Sequence, residues 1–213
     1  MDIQVWSDVI CPWCYIGKQR LENALAEFDT EATVTYRAYQ LDPLPLPQPV
    51  PIRQVMAAKA GGAERAEQMF KHVAEIGAGE GLVLDFDRAI AANTFAAHRL
   101  IAWAAGQDRQ ADMLNALQRA HFADGINVGS LPALAGVAGS IGLDAATALA
   151  YLESDAGTNA VTTDLIEARE LDITSVPTFV VNGKYKVQGA QESAALLDAF
   201  AEITRREGVN AGR

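Results

Sequence analysis

The chain holds two cysteines, Cys11 and Cys14, separated only by Pro12 and Trp13. They follow an apolar run with Ile3 and Val5 and open an amphipathic segment. Proline suits the first position of a helix, where its missing N–H is not needed and its φ is already helical. Pro12 therefore makes Cys11 the N-cap and puts Cys14 in the first turn. A sulfur at the N-cap is expected to face the free N–H groups of Trp13 and Cys14 and the positive end of the helix dipole. Both favour a thiolate over a thiol. Side chains three apart on a helix are neighbours, close enough for a disulfide to form and open with little backbone movement. The chemistry these residues point to is a redox pair, with Cys11 attacking and Cys14 resolving.

Two other uses of such a pair fare worse. A structural disulfide here would close so small a loop that it removes little chain entropy. A zinc site needs two further ligands, normally a second closely spaced pair. The histidines are His72, His98 and His121, none close in sequence to another, so no metal site is expected.

At 213 residues the chain suits one large domain or one domain carrying an insertion. Its 50% hydrophobic and 21% charged residues are ordinary globular composition. A formal net charge of −10, with no Lys/Arg-rich run, speaks against nucleic acid as a partner; the acidic balance itself reads as a solvated surface. The Ile3–Ile10 stretch is too short and too interrupted for a signal sequence, and no apolar run approaches transmembrane length. The expectation is a cytoplasmic protein with no membrane partner, where disulfides are usually transient and catalytic.

The elements that must carry the cysteines can be read around them. Ile3–Trp6 reads as a strand, and the cysteine helix runs to about Phe28 with Leu21, Ala24, Leu25 and Phe28 on one stripe. Thr33–Tyr39 reads as a second strand, parallel to the first through a right-handed crossover. Asp42–Pro51 then has proline at every second position, five of the eight in the chain, and reads as a stiff extended connector rather than an SH3-type ligand. From Ile52 to about Glu170 the pattern is helical: Ile52–Ala60, Glu64–Ala78, Thr94–Ala105, Asp108–Ala123, a helix capped by Ser130, another capped by Asp144, and Thr158–Glu170. A strand returns at Val176–Val181. Asn182-Gly183 predicts a type I′ hairpin into Lys184–Gln188. A last helix spans Glu192–Arg206, and Val209–Arg213 is expected to be loose. The two outer parts join into one four-stranded sheet, an α/β architecture with the helical block inserted.

That order, with C-x-x-C opening the first helix, resembles the thioredoxin fold with the large all-helical insertion of the DsbA-like family. Ser7 to Lys18, Asn93-Thr94 with Ala97-His98-Arg99-Leu100, and Val176-Pro177-Thr178-Phe179 with Gly189-Ala190-Gln191 resemble its FrnE-like branch. This branch is related to 2-hydroxychromene-2-carboxylate isomerases and kappa-class glutathione transferases. The resemblance divides the chain into a discontinuous thioredoxin-like domain, 1–41 and 157–213, and an inserted helical domain, 42–156. It implies a cis Val176–Pro177 peptide beside the Cys11 sulfur, with the backbone edge at Val176 pairing with an extended peptide or glutathione. From the residues alone a trans proline opening an edge strand leads. Ser175, where relatives often carry glycine, puts little of this in doubt.

The remaining candidates have two readings each. Asn93 either lines the cleft between helical block and cysteine helix or caps the Thr94 helix. His98 is a buried, hydrogen-bonded residue ahead of a proton carrier, and His121, on an apolar stripe, is structural. Gln191 precedes the last helix, whose N-terminus could hold a glutathione carboxylate, although a turn and cap role leads. Trp13 is a contact for substrate or packs on the insertion, and Lys18 is expected on the solvated face.

The function expected is thiol–disulfide oxidoreductase chemistry through a mixed disulfide. It needs no metal or organic cofactor, and its partners are protein thiols or disulfides or glutathione as co-substrate. A glutathione-dependent isomerase or transferase is the alternative, and Cys14 argues against it, because a resolving cysteine has no use there. A non-enzymatic binding protein comes last. A homodimer is compatible with the helical surface.

Overall fold

A computed structural model describes residues 1–44 and 48–211. Strand β1 (Asp2–Ser7) runs into helix α1 (Pro12–Ala26) and then strand β2 (Thr33–Ala38). After the proline run, whose residues 45–47 lie outside the described ones, come β3 (Val50–Pro51), α2 (Ile52–Ala60), α3 (Ala63–Gly79) and β4 (Ile90–Ala91). Helices α4 (Phe95–Ala105), α5 (Gln110–Phe122), α6 (Leu131–Ser140), α7 (Ala145–Glu153) and α8 (Thr158–Glu170) follow. The chain ends with β5 (Thr178–Val181), β6 (Tyr185–Gln188) and α9 (Ser193–Ala211).

The main sheet has the order β2-β1-β5-β6. β1 and β2 are parallel, with Val5 opposite Tyr36, while β5 lies antiparallel to β1 with Phe179 opposite Val5. The sheet is therefore mixed, parallel only at the crossover around α1. Alternation along β1 sorts its side chains between two layers. Ile3 and Val5 join Phe179, Val181, Leu21 of α1, Phe200 of α9 and Leu100 and Leu117 of the helical block in one core. Trp6 joins Val180, Ala168 and Ile173 in another. A third cluster, Tyr15, Ile16, Phe70, Phe86 and Phe122, packs α1 against α3 and α5.

The edge strand β2 is closed by side chains rather than by another strand. Gln110 accepts from the Tyr36 N–H and donates to its carbonyl, each at 3.0 Å, and the Asp164 carboxylate accepts from the Ala38 N–H at 2.8 Å. These bonds occupy groups that would otherwise invite strand addition. At the far end, Asn182 (φ 51°) and Gly183 (φ 65°) form the tight turn with both residues left-handed, as Asn-Gly predicts.

Three features depart from expectation. The inserted block carries a two-residue ribbon, Val50 opposite Ala91 and Pro51 opposite Ile90, which ties the exit of the proline run to the chain before α4. The second half-strand begins at Thr178 rather than Val176, because Val176–Pro177 is the turn into it. The C-terminus is not loose through 211: α9 continues to Ala211, and residues 212–213 lie outside the described ones. Among the described residues no helix is long and apolar enough to cross a membrane.

Candidate active site

Cys11 is the N-cap of α1, in extended conformation, and Pro12 occupies the first turn. The Cys11 sulfur makes no capping hydrogen bond, contrary to expectation. The Cys14 and Tyr15 N–H groups donate instead to the Cys11 carbonyl, at 3.0 and 3.2 Å. The sulfur keeps its place at the positive end of the helix and turns toward the Val176 carbonyl, 3.9 Å away. Val176–Pro177 is cis. The resemblance had implied both that peptide geometry and its position beside Cys11.

The loop that presents Val176 is fixed from behind. A Cβ on Gly17 would stand 2.8 Å from Pro177 Cγ, so α1 approaches the proline ring as closely as it does because residue 17 has no side chain. Gly189 donates to the Pro177 carbonyl at 2.8 Å. Buried Arg20, on the next turn of α1, donates to the Ala190 carbonyl at 2.7 Å and pairs with Glu80 and Glu192. The Gly189-Ala190-Gln191 motif thus buttresses the proline loop. Gln191 itself is exposed and donates to the Gln188 carbonyl.

Both cysteines are free and buried, but their surroundings differ. Cys11 borders a cleft of about 400 Å³ walled by Trp13, Ile52, Met56, Phe70, Phe86 and Phe122. Its charged lining residues, Asp42 and Lys59, pair with each other at 2.8 Å, and the lysine holds the Asp42 carboxyl below the usual carboxylate range. Cys14 is 1% exposed, and its sulfur accepts from the Asp8 N–H at 3.5 Å. Burial first, and then a hydrogen bond to the Cys11 sulfur, push the Cys14 thiol well above its ordinary range. At neutral pH Cys14 therefore keeps its proton.

Asp8 is the residue of this centre to which the sequence reading gave no role. It is 0% exposed. One carboxylate oxygen accepts from the Leu41 N–H at 2.8 Å, and the other lies 3.4 Å from His98 Nε2. The signal was a lone acid inside an apolar run, three residues before the first cysteine.

Among the other candidates, Cys11, Trp13 and Val176 share the cleft, whereas Asn93 and His98 stand outside it. Asn93 Oδ1 accepts from the Phe95 N–H at the start of α4, and its amide donates to the Pro43 carbonyl at 2.8 Å; it caps the helix and fastens the proline run. His98 is buried, with Nε2 2.9 Å from the Tyr39 carbonyl. His121 is buried against the edge of the Phe122 ring, and burial lowers its pKa to about 4. Lys18 is not on a solvated face: it is 4% exposed and paired with Glu22 one turn on. Among the described residues no group of His, Cys, Asp or Glu is placed to hold a metal ion.

A strand–helix–strand unit joined to a hairpin and helix, with C-x-x-C opening the first helix opposite a cis-proline loop, defines a thioredoxin-type protein with a helical insertion. The DSBA-like thioredoxin domain matches residues 2–201, and the chain belongs to that family. It is similar to a probable DsbA oxidoreductase, SCO1869, of Streptomyces coelicolor, with a TM-score of 0.90 and 34% identity over 95% of this chain and 89% of that one. A 2-hydroxychromene-2-carboxylate isomerase shares the fold at a TM-score of 0.71 and 19% identity, over 98% of each chain. So does the cytosolic disulfide reductase DsbM of Pseudomonas aeruginosa, solved with glutathione, at 0.65 and 19% over 97% of this chain and 100% of that one.

Proposed function

We propose that the chain is a thiol–disulfide oxidoreductase working through Cys11 and Cys14. The observation that carries this reading is the inequality of two sulfurs on one helix. Cys11 opens on the cleft at the helix N-terminus, and Cys14 is buried behind it with its proton held. In the exchange, Cys11 thiolate attacks a substrate disulfide and displaces one substrate thiolate, forming a mixed disulfide. Cys14 then gives up its proton and attacks the Cys11 sulfur, giving the Cys11–Cys14 disulfide, the second substrate thiolate and a released proton. The opposite direction runs the same bonds in reverse.

The functional division is the discontinuous thioredoxin-like unit, 1–41 and 157–213, carrying the cysteines, with residues 42–156 as the wall over them. Trp13 and the Val176 backbone contact substrate, Pro177 shapes that edge, and Asn93, His98 and Gln191 support it from outside the cleft. Protein disulfides and glutathione are the substrate classes. The glutathione-bound DsbM structure supports the second, and its description as cytosolic supports a cytoplasmic setting for this chain.

The test is insulin-disulfide turnover and glutathione-buffer titration of wild type, Cys11→Ser and Cys14→Ser. Wild-type turnover lost by more than ~100-fold in Cys11→Ser is the expected result. No turnover in wild type, or full turnover in Cys11→Ser, rejects the proposal. Glutathione-dependent isomerising activity retained in Cys14→Ser would move the assignment to the isomerase class.

A further inference from the structure

The helical block carries a second depression that the exchange reaction does not use. It is a groove of about 810 Å³ between α5 and α6, and it shares no lining residue with the Cys11 cleft. The side chains along it are small where the two helices meet: Ala116 and Ala120 on α5, Ala133 and Gly136 on α6. Gly136 is exposed in the middle of α6, a position where glycine weakens a helix relative to alanine. A Cβ there would meet nothing within 4 Å, so the folded chain itself has no need of glycine. A helix laid along the groove would need it, because the side chains at a crossing set how closely two helices approach.

The rim of the groove carries charge in a self-complementary order. Arg109, Asp112, Ala116 and Arg119 follow one another at steps of three and four residues, which keeps them on one stripe of α5, and Asp124 stands just past its end. Turning this stripe end for end about Ala116 brings Asp112 against Arg119 and Arg109 against Asp124, each within one residue of register. Arg109 at the N-terminus of α5 and Asp124 beyond its C-terminus also have the signs that the helix's own dipole disfavours, and an antiparallel neighbour exchanges those ends. Within one chain Arg109 pairs with Asp112 at 2.5 Å, whereas among the described residues Arg119 and Asp124 make no ion pair.

We propose that this face is an interface between two copies of the chain, with α5 of each antiparallel to α5 of the other across a two-fold axis at Ala116. Asp112 then faces the partner's Arg119, and Arg109 faces the partner's Asp124. Each pair is made twice, as a two-fold axis requires. The ridge of Asp112, Asn115 and Arg119, exposed in the single chain, lies over the small residues of the other copy's groove. The Cys11 cleft stays open in both copies, because none of its lining residues is used. The inference goes beyond the disulfide-exchange reading and does not depend on it.

Sedimentation velocity of the reduced protein, from about 1 to about 300 µM, reads the association directly. Wild type is expected to pass from monomer to dimer in that range, and the dimer to weaken as salt is raised. Arg119→Asp sets like charges opposite each other twice and should weaken it more than ~10-fold. Adding Asp112→Arg to that variant restores opposite charges and should recover most of the loss, which a folding defect would not do. Gly136→Gln has room in the single chain but fills the groove, and should also weaken the dimer about tenfold. The axis is read by cross-linking in a Cys11→Ser/Cys14→Ser background. Ala116→Cys meets its own copy and should oxidise to a covalent dimer, while Ala111→Cys, exposed on α5 outside the groove, should do so at least ~10-fold more slowly. A wild type that stays monomeric throughout overturns the proposal. So does a dimer that neither Arg119→Asp nor Gly136→Gln weakens, or equal cross-linking of the two cysteine variants.

Discussion

In front of the cysteine helix, Cys11 looks into a cleft of Ile52, Met56, Phe70 and Phe86, with its one pair of charged lining residues neutralising each other. Behind it, the Cys14 sulfur accepts from the Asp8 N–H, and the Asp8 carboxylate lies beside His98, which lines the cavity with Arg37 and Asp164. The front offers apolar area and little charge, which suits binding of apolar groups near a disulfide. The rear offers buried polar groups shut away from that cleft. One turn of helix thus separates a sulfur that borders the cleft from a sulfur buried behind it.

Phe122 lines the cleft beside Phe86, and its ring also packs against Tyr15 and His121. Phe122→Ala should give the largest loss, about 3–5 kcal/mol by urea denaturation, because a cavity opens among these rings. A loss below 1 kcal/mol would show that they are not packed through Phe122.

The rear should also make stability depend on pH. His121 is neutral in the folded state down to about pH 4, while the unfolded chain takes a proton near the ordinary 6.5. The unfolded state therefore binds more protons between these values, and stability falls as pH drops from 6.5 toward 4. The loss reaches about 3 kcal/mol and flattens below 4. His121→Leu should abolish that part of the fall, measured as the difference between the two melting-temperature profiles. Parallel profiles would show that His121 is not buried as described.

Smaller effects are expected at the margins. Gly17→Ala presses a methyl group on the Pro177 ring and should cost about 1–3 kcal/mol, read as a lower melting temperature. An unchanged melting temperature would mean that the proline loop yields freely. Met69, 45% exposed on the cleft, should matter least. Met69→Lys should raise KM severalfold for a disulfide flanked by apolar side chains and leave the rate with glutathione disulfide nearly unchanged. Equal effects on both substrates would contradict the apolar front.

Much of this frame was legible in the sequence. Helices Ile52–Ala60 and Thr158–Glu170 have the bounds that periodicity and glycine stops suggest, and Asp144 caps its helix by accepting from the Thr147 N–H. Asn182-Gly183 alone marks the hairpin. The β3–β4 ribbon was hidden because two-residue strands carry no periodicity, and Lys18 because nothing local shows which side of a helix meets a neighbouring layer. Asp8 was hidden for a different reason. Its neighbours Leu41 and His98 are far away in sequence, and only the folded chain brings the Leu41 N–H to one carboxylate oxygen and the His98 ring near the other. The motifs around Asn93, His98 and Gln191 were visible, but a motif places backbone near a site without saying which way a side chain points. None of the three lines the cleft.

The inequality of the two sulfurs is tested most directly by trapping. Cys14→Ser and Cys11→Ser, each reduced, are mixed with a substrate disulfide and read by intact mass and peptide mapping. The account predicts that Cys14→Ser accumulates a mixed disulfide on Cys11, while Cys11→Ser leaves Cys14 unmodified on the same timescale. Modification of Cys14 in Cys11→Ser as fast as that of Cys11 in Cys14→Ser would contradict it.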